Sequence, residues 1–183
     1  RFKDVPWIYF QQADLCDKDL KIEFDKIVQE ETYNDLIQSG FDLITCFEVA
    51  EHVGKQNVPL FLDNIKKHMS ANSKLLISTP VYDPSVGAAG NHTYDSGDGR
   101  GVAIQEMTRE EFQALLEERF VIEKKWGVFA SVKDYKDRLG DYPGLPEIYA
   151  KLKQYFDSNI ISNIMAPLFP EQSRNIMWEC KIK

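Results

Sequence analysis

The chain is short of three things. Its 183 residues include only three cysteines, Cys16, Cys46 and Cys180, far apart and beside apolar runs. That excludes a disulfide framework or a zinc set of paired cysteines and leaves buried free thiols. No apolar run approaches the roughly 20 residues that cross a bilayer, so no membrane partner is expected and a soluble, cytoplasmic protein is. Positive charge is also scarce, with 22 basic against 29 acidic residues and a net charge of −7. Nucleic acid is therefore disfavoured as the main partner. What remains, 43% hydrophobic and 28% charged, is the composition of one globular domain with a core.

The apolar pattern predicts an α/β order. Val5 to Phe10 reads as a strand, and residues 18–39 as mainly helical, closed by Gly40. Phe41 to Val49 is a nearly continuous apolar run that suits a strand buried on both faces of a parallel sheet. Val58, Phe61, Leu62, Ile65 and Met69 recur at helical spacing. Lys74 to Ser78 is the next strand, ended by Thr79-Pro80 because proline cannot donate to a ladder. Strand, helix and strand with short joints make a βαβ unit, for which parallel pairing is expected.

Asp83 to Gly101 holds five of the ten glycines and is expected to be a long loop, read as a mobile lid. Its glycines lack the spacing of a phosphate cradle. Thr108 and Glu111 form a capping box, with Phe112, Leu115 and Leu116 as the buried stripe of the helix that follows. Phe120 to Phe129 is expected to be a strand. A helix opened by Pro146 should point Ile148, Leu152 and Phe156 inward, and a further helical stretch runs from Ile160 to Phe169. Asn175 to Ile182 alternates as a half-buried strand.

The string FDLITCFEVAEH, a helix, LLISTP, a loop, MTREEF, a strand, and a last strand opened by Arg174-Asn175 together resemble the class I S-adenosylmethionine-dependent methyltransferases. The most specific piece is Glu48-Val49-Ala50-Glu51-His52, an E-x-x-E-H sequence after a buried strand, with Ser78-Thr79-Pro80 further on. The resemblance implies a Rossmann-like sheet of order 3-2-1-4-5-7-6, with strands 1 and 2 absent from this chain and a helical insertion before the last strand. It divides the chain into a partial core (1–130), a helical cap (131–173) and the last core strand (174–183). The family's glycine-rich cofactor loop and the acidic residue ending its second strand have no counterpart here. An upstream segment or a partner chain is expected to supply them and complete the sheet.

The resemblance also implies a site. S-adenosylmethionine would lie across the carboxyl ends of the strands. Asp14 would accept from the adenine amino group with Leu15 beside the ring, and Cys46, Phe47 and Glu48 would line the sulfonium and methionine region. Methyl transfer to a hydroxyl or amine calls for a base or a metal, and Glu48, Glu51 and His52 are the candidates for either role. Two carboxylates and one imidazole would suit magnesium or manganese. Glu51 could instead cap the next helix and His52 order a loop by hydrogen bonds. Relatives that use E-x-x-E-H to methylate the terminal ribose of small RNAs add a histidine before the Thr-Arg helix, and Gly101 to Glu106 contains none. Tyr82, Asn91, His92 and Tyr94 are candidate acceptor contacts. A small-molecule acceptor leads, with a metal-dependent RNA ribose 2′-O-methyltransferase and a non-catalytic binding or assembly module as alternatives.

Overall fold

The structure is a computed structural model that describes residues 11–22, 40–86, 91–95, 101–128 and 135–183. The expected strand at Val5 to Phe10 and residues 23–39 of the expected helical stretch lie outside the described residues. Residues 18–22 are not helical, and Leu20 closes a turn on Asp17 (N···O 3.1 Å).

The first described strand, β1 (Phe41–Phe47), is followed by a 3-10 turn at Ala50–His52 and by helix α1 (Val58–Lys67). Strand β2 (Met69–Tyr82) then pairs with β1 in parallel, from Leu43 opposite Lys74 to Phe47 opposite Ser78. This is the expected βαβ unit. Gly40 makes its entry possible: its φ is +73°, and a Cβ there would lie 2.5 Å from Ser70 N, so the chain can pass this close only without a side chain.

Strand β2 does not stop at Pro80. It continues to Tyr82 because the ladder resumes one residue on, where the Val81 N–H donates to the Arg174 carbonyl (2.8 Å). The missing donor of one proline interrupts the pairing locally and does not end it. The expected long loop is also partly ordered. Strands β3 (Asn91–Asp95) and β4 (Gly101–Gln105) pair antiparallel as a hairpin. A two-residue strand, β5 (Met107–Thr108), extends β2 in parallel.

Helix α2 (Arg109–Arg119) opens on the expected capping box: Thr108 Oγ1 accepts from the Glu111 N–H (3.2 Å) and the Glu111 carboxylate from the Thr108 N–H (2.8 Å). Strand β6 (Phe120–Gly127) follows. After the cap helices α3 (Leu145–Leu152) and α4 (Ser158–Met165), β7 (Asn175–Ile182) runs antiparallel between β2 and β6. The main sheet order is β1-β2-β7-β6.

One face of the sheet packs on α1 and α2. Phe61, Leu62, Leu75, Ile77, Phe112, Leu116, Ile176 and Trp178 are fully buried there, with the Trp178 ring 5.2 Å from Phe112. Strand β1 is less buried than its apolar run suggests, with Leu43 55% and Phe47 50% exposed. It is the outermost of the described strands in this sheet, so its side chains lack neighbours on one flank. The cap has its own cluster of Tyr135, Leu139, Leu145, Ile161, Met165 and Phe169. Leu152 packs against it as expected, whereas Ile148 and Phe156 face outward, because α4 and Phe169 already fill the interior. No helix among the described residues is long and apolar enough to cross a membrane.

Gly127, at the end of β6, packs directly against Ala166 and Ser173 of the cap. A Cβ there would lie 2.0 Å from Ser173 Oγ and 2.2 Å from the Ala166 carbonyl oxygen. Gly127→Ala is therefore expected to destabilise by about 1–3 kcal/mol through overpacking. Trp178→Ala, which empties the centre of the core, should cost about 3–5 kcal/mol. Urea unfolding midpoints at constant slope would check both, and an unchanged midpoint for Trp178→Ala would contradict this packing.

Candidate active site

Parallel strands bring their carboxyl ends to one edge of the sheet, and Glu48 sits there, immediately after β1. It is the one non-glycine residue among those described with a positive φ, +56°. Left-handed backbone is unfavourable for a side chain with a Cβ, so neighbours must hold it. They do so three times. The Glu48 N–H donates to the Ser78 carbonyl (3.0 Å), Ser78 Oγ donates to Glu48 Oε1 (2.8 Å), and Asn175 Nδ2 donates to Glu48 Oε2. Ser78 and Asn175 belong to β2 and β7, so the carboxylate is fixed by the sheet itself.

Glu48 lines an open cavity of about 670 Å3 together with Phe47, Ser78, Val128, Arg174, Asn175 and Met177. Its walls are largely apolar, with a fixed carboxylate and an arginine as the charged groups. The Arg174 guanidinium donates to Glu106, a buried carboxylate, at 3.1 Å.

Glu51 and His52 are arranged differently. The 3-10 turn carries the Glu51 side chain inward to 4% exposure, where it accepts from Thr79 Oγ1 (3.1 Å) and lies 3.6 Å from His52 Nε2. Burial raises the Glu51 carboxyl above the ordinary carboxylate range, and the nearby Glu48 charge adds to this against the hydrogen bonds that lower it. The expected metal set of Glu48, Glu51 and His52 is not assembled. Among the described residues no three His, Cys, Asp or Glu side chains stand where they could hold one ion. Glu48 looks into the cavity while Glu51 is turned into the protein, and each already accepts from hydroxyl donors.

Of the other expected residues, Phe47 reaches the cavity. Cys46 is buried behind it, and burial first, then the Glu51 charge, pushes its thiol up to about 12. Asp14 Oδ1 accepts from the Cys16 N–H (2.8 Å), a turn-forming role. Leu15 lines a second, apolar groove of about 290 Å3 with Leu20, Ile22, Leu43 and Ile65. Of the cofactor residues implied by resemblance, Leu15 lines one cavity and Phe47 and Glu48 the other, while Asp14 and Cys46 line neither of the two. Tyr82 pairs with Thr108 at the end of β2 and does not line the Glu48 cavity. The backbones of Asn91, His92 and Tyr94 lie in β3, and their side chains are outside what the structure describes. The hairpin is tied to the 3-10 turn Lys55–Asn57 by the Lys55 N–H, which donates to Gln105 Oε1 (3.0 Å).

Ser78, Arg174 and Asn175 were not among the residues expected to form the site. A signal existed, since Ser78 precedes the Thr79-Pro80 pair and Asn175 opens the last strand, but only the β2–β7 register brings them together beside Glu48.

A methyltransferase domain family matches residues 8–119, more than half of the chain. The chain belongs to that family. These are the S-adenosylmethionine-dependent methyltransferases that the Phe41 to Pro80 segment resembles, and the α/β sheet agrees with it. Solved structures similar to this methyltransferase domain include an S-adenosylmethionine-dependent methyltransferase from Clostridium acetobutylicum, at 12% identity and a TM-score of 0.48, covering 93% of this chain and 63% of that one. Another is the Burkholderia thailandensis 1,6-didemethyltoxoflavin-N1-methyltransferase, bound to 1,6-didemethyltoxoflavin and S-adenosylhomocysteine, at 12% identity and a TM-score of 0.42, covering 79% of this chain and 45% of that one. The chain thus spans about half to two thirds of the length of these proteins. No curated protein matches it in sequence. The family assignment rests on the domain match.

The buried Glu51 yields a prediction with a definite sign. Its folded-state pKa is raised, so its contribution to stability is fully present below the ordinary carboxyl range and is lost as pH rises through the folded value. Glu51→Gln keeps an acceptor for Thr79 and removes the buried charge. The variant should melt higher than the parent at neutral pH, with the difference shrinking as pH falls toward the ordinary carboxyl range. Melting curves from mildly acidic to neutral pH test this, and a lower melting temperature for the variant at neutral pH would refute it.

Proposed function

We propose that the protein containing this chain transfers the methyl group of S-adenosylmethionine to an oxygen or nitrogen of a small-molecule acceptor, with Glu48 meeting the nucleophile. The observation that carries this is the carboxylate of Glu48, held in a strained backbone conformation by Ser78 and Asn175 and lining an open cavity at the strand ends.

The cofactor supplies a methyl group already activated on a positive sulfur. The residues on this side of the site fit such a group: a fixed carboxylate complements a cation, and the half-exposed Phe47 ring offers an aromatic face beside it. Phe47 and Glu48 would hold that part.

Each oxygen of the Glu48 carboxylate accepts one hydrogen bond from the protein, and each has capacity for a second. Glu48 can therefore accept from an acceptor hydroxyl or amine without giving up its anchors. Ser78 and Asn175 keep it from rotating, so the nucleophile is held in one direction and its proton has a receiver. Val128 and Met177 add apolar wall to the same cavity. A cavity of about 670 Å3 has the size of a small-ligand site.

Calorimetry of the protein containing this chain should show S-adenosylhomocysteine binding, and absence of binding at millimolar ligand would end the proposal. Glu48→Gln should lower kcat by about 10²- to 10⁴-fold, the range for losing a proton acceptor, and should lower the melting temperature modestly, because one of the two anchoring donors then faces an amide NH2. A variant that turns over normally would remove Glu48 from the mechanism.

A further inference from the structure

The cavity carries a second charged group that methyl transfer does not use. Arg174 lines it on the last residue before β7, where its carbonyl accepts from the Val81 N–H and fixes the backbone. Its guanidinium is 3.1 Å from Glu106 Oε1 through one nitrogen, Nη2. A guanidinium has five N–H donors in a planar fork, and the described residues take one of them. Glu106 is 3% exposed, so it anchors the head without competing for space in the cavity, while the Arg174 side chain remains 42% exposed. An arginine tethered at one nitrogen and open along its other edge is suited to a planar anion.

Glu48 and Arg174 thus offer opposite charges to one occupant, with the apolar side chains of Phe47, Val128 and Met177 lining the same cavity. Resting on the proposed methyl transfer, we infer that the acceptor is a small carboxylic acid with its nucleophilic hydroxyl or amine at one end, met by Glu48, and its carboxylate at the other, met by Arg174. The body between them is apolar. A neutral acceptor would leave the guanidinium's remaining donors to water and forgo the charge-assisted bonds they can make to a carboxylate. A phosphate on the same body would use the same fork, so the anion's identity belongs to the test.

The test uses the protein containing this chain and three probes, 4-hydroxyphenylacetate, 3-(4-hydroxyphenyl)propanoate and 4-aminophenylacetate, each beside its primary amide and beside the corresponding phenyl phosphate. Binding is read by calorimetry in the presence of S-adenosylhomocysteine, and turnover by transfer of labelled methyl. The acids should bind about tenfold to a hundredfold more tightly than the amides, the range for a charge-assisted hydrogen bond. Arg174→Gln should bring that ratio to about one, by raising KM and not by lowering kcat, and Arg174→Lys should restore part of it. S-adenosylhomocysteine affinity should be unchanged in both variants.

Equal binding of acid and amide, a ratio that survives Arg174→Gln, preference for the phosphate over every acid, or no binding of any probe by a protein that does bind S-adenosylhomocysteine would each overturn the inference. Failure to bind S-adenosylhomocysteine strikes the methyl-transfer reading instead.

Discussion

Glu48 stands in a backbone conformation that costs on the order of 1–3 kcal/mol for a residue of its kind, and hydrogen bonds from Ser78 and Asn175 are what hold it there. Those two residues are brought to it by the register of β2 with β1 on one side and β7 on the other. The ladders in turn depend on the packing of Ile77, Ile176 and Trp178 against α1 and α2. A carboxylate pointed into the cavity is thus the outermost consequence of a buried core, and the strain is concentrated where methyl transfer would need a group that does not swing away.

Much of this was legible in the chain itself. Phe41 to Phe47 and Asn175 to Ile182 announce strands by apolar content and alternation, and Thr108 with Glu111 announces a helix start, because each signal depends on neighbours in sequence. The misreadings share a cause. Pro80 was expected to end a strand by its own chemistry, yet Val81 finds its partner in Arg174, more than ninety positions away in sequence. The glycines after Asp83 suggested a loop, whereas β3 and β4 pair with each other across that interval. Ile148 and Phe156 have helical spacing from Leu152 but lose the competition for the cap's interior to Ile161, Met165 and Phe169.

The site shows the same division. Sequence spacing placed Glu48, Glu51 and His52 within five residues and so suggested convergence on one point. The 3-10 turn rotates Glu51 into the protein, where Thr79 satisfies it, and leaves Glu48 alone at the cavity. Asp14, expected to reach a ligand, closes a turn on Cys16. Arg174 and Asn175 could be noticed only as the opening of a strand; their role depends on the partners that the fold places opposite.

Gly127 is the point at which the cap packs back onto the sheet. Its bare Cα lies against Ser173 and Ala166, so the end of β6 and the return to β7 are packed together at one point. Whatever lies beyond that point can lengthen, shorten or change its residues without sliding β7 along β2. Arg174 and Asn175, at the start of β7, would then keep their positions beside Glu48 while the cap changes.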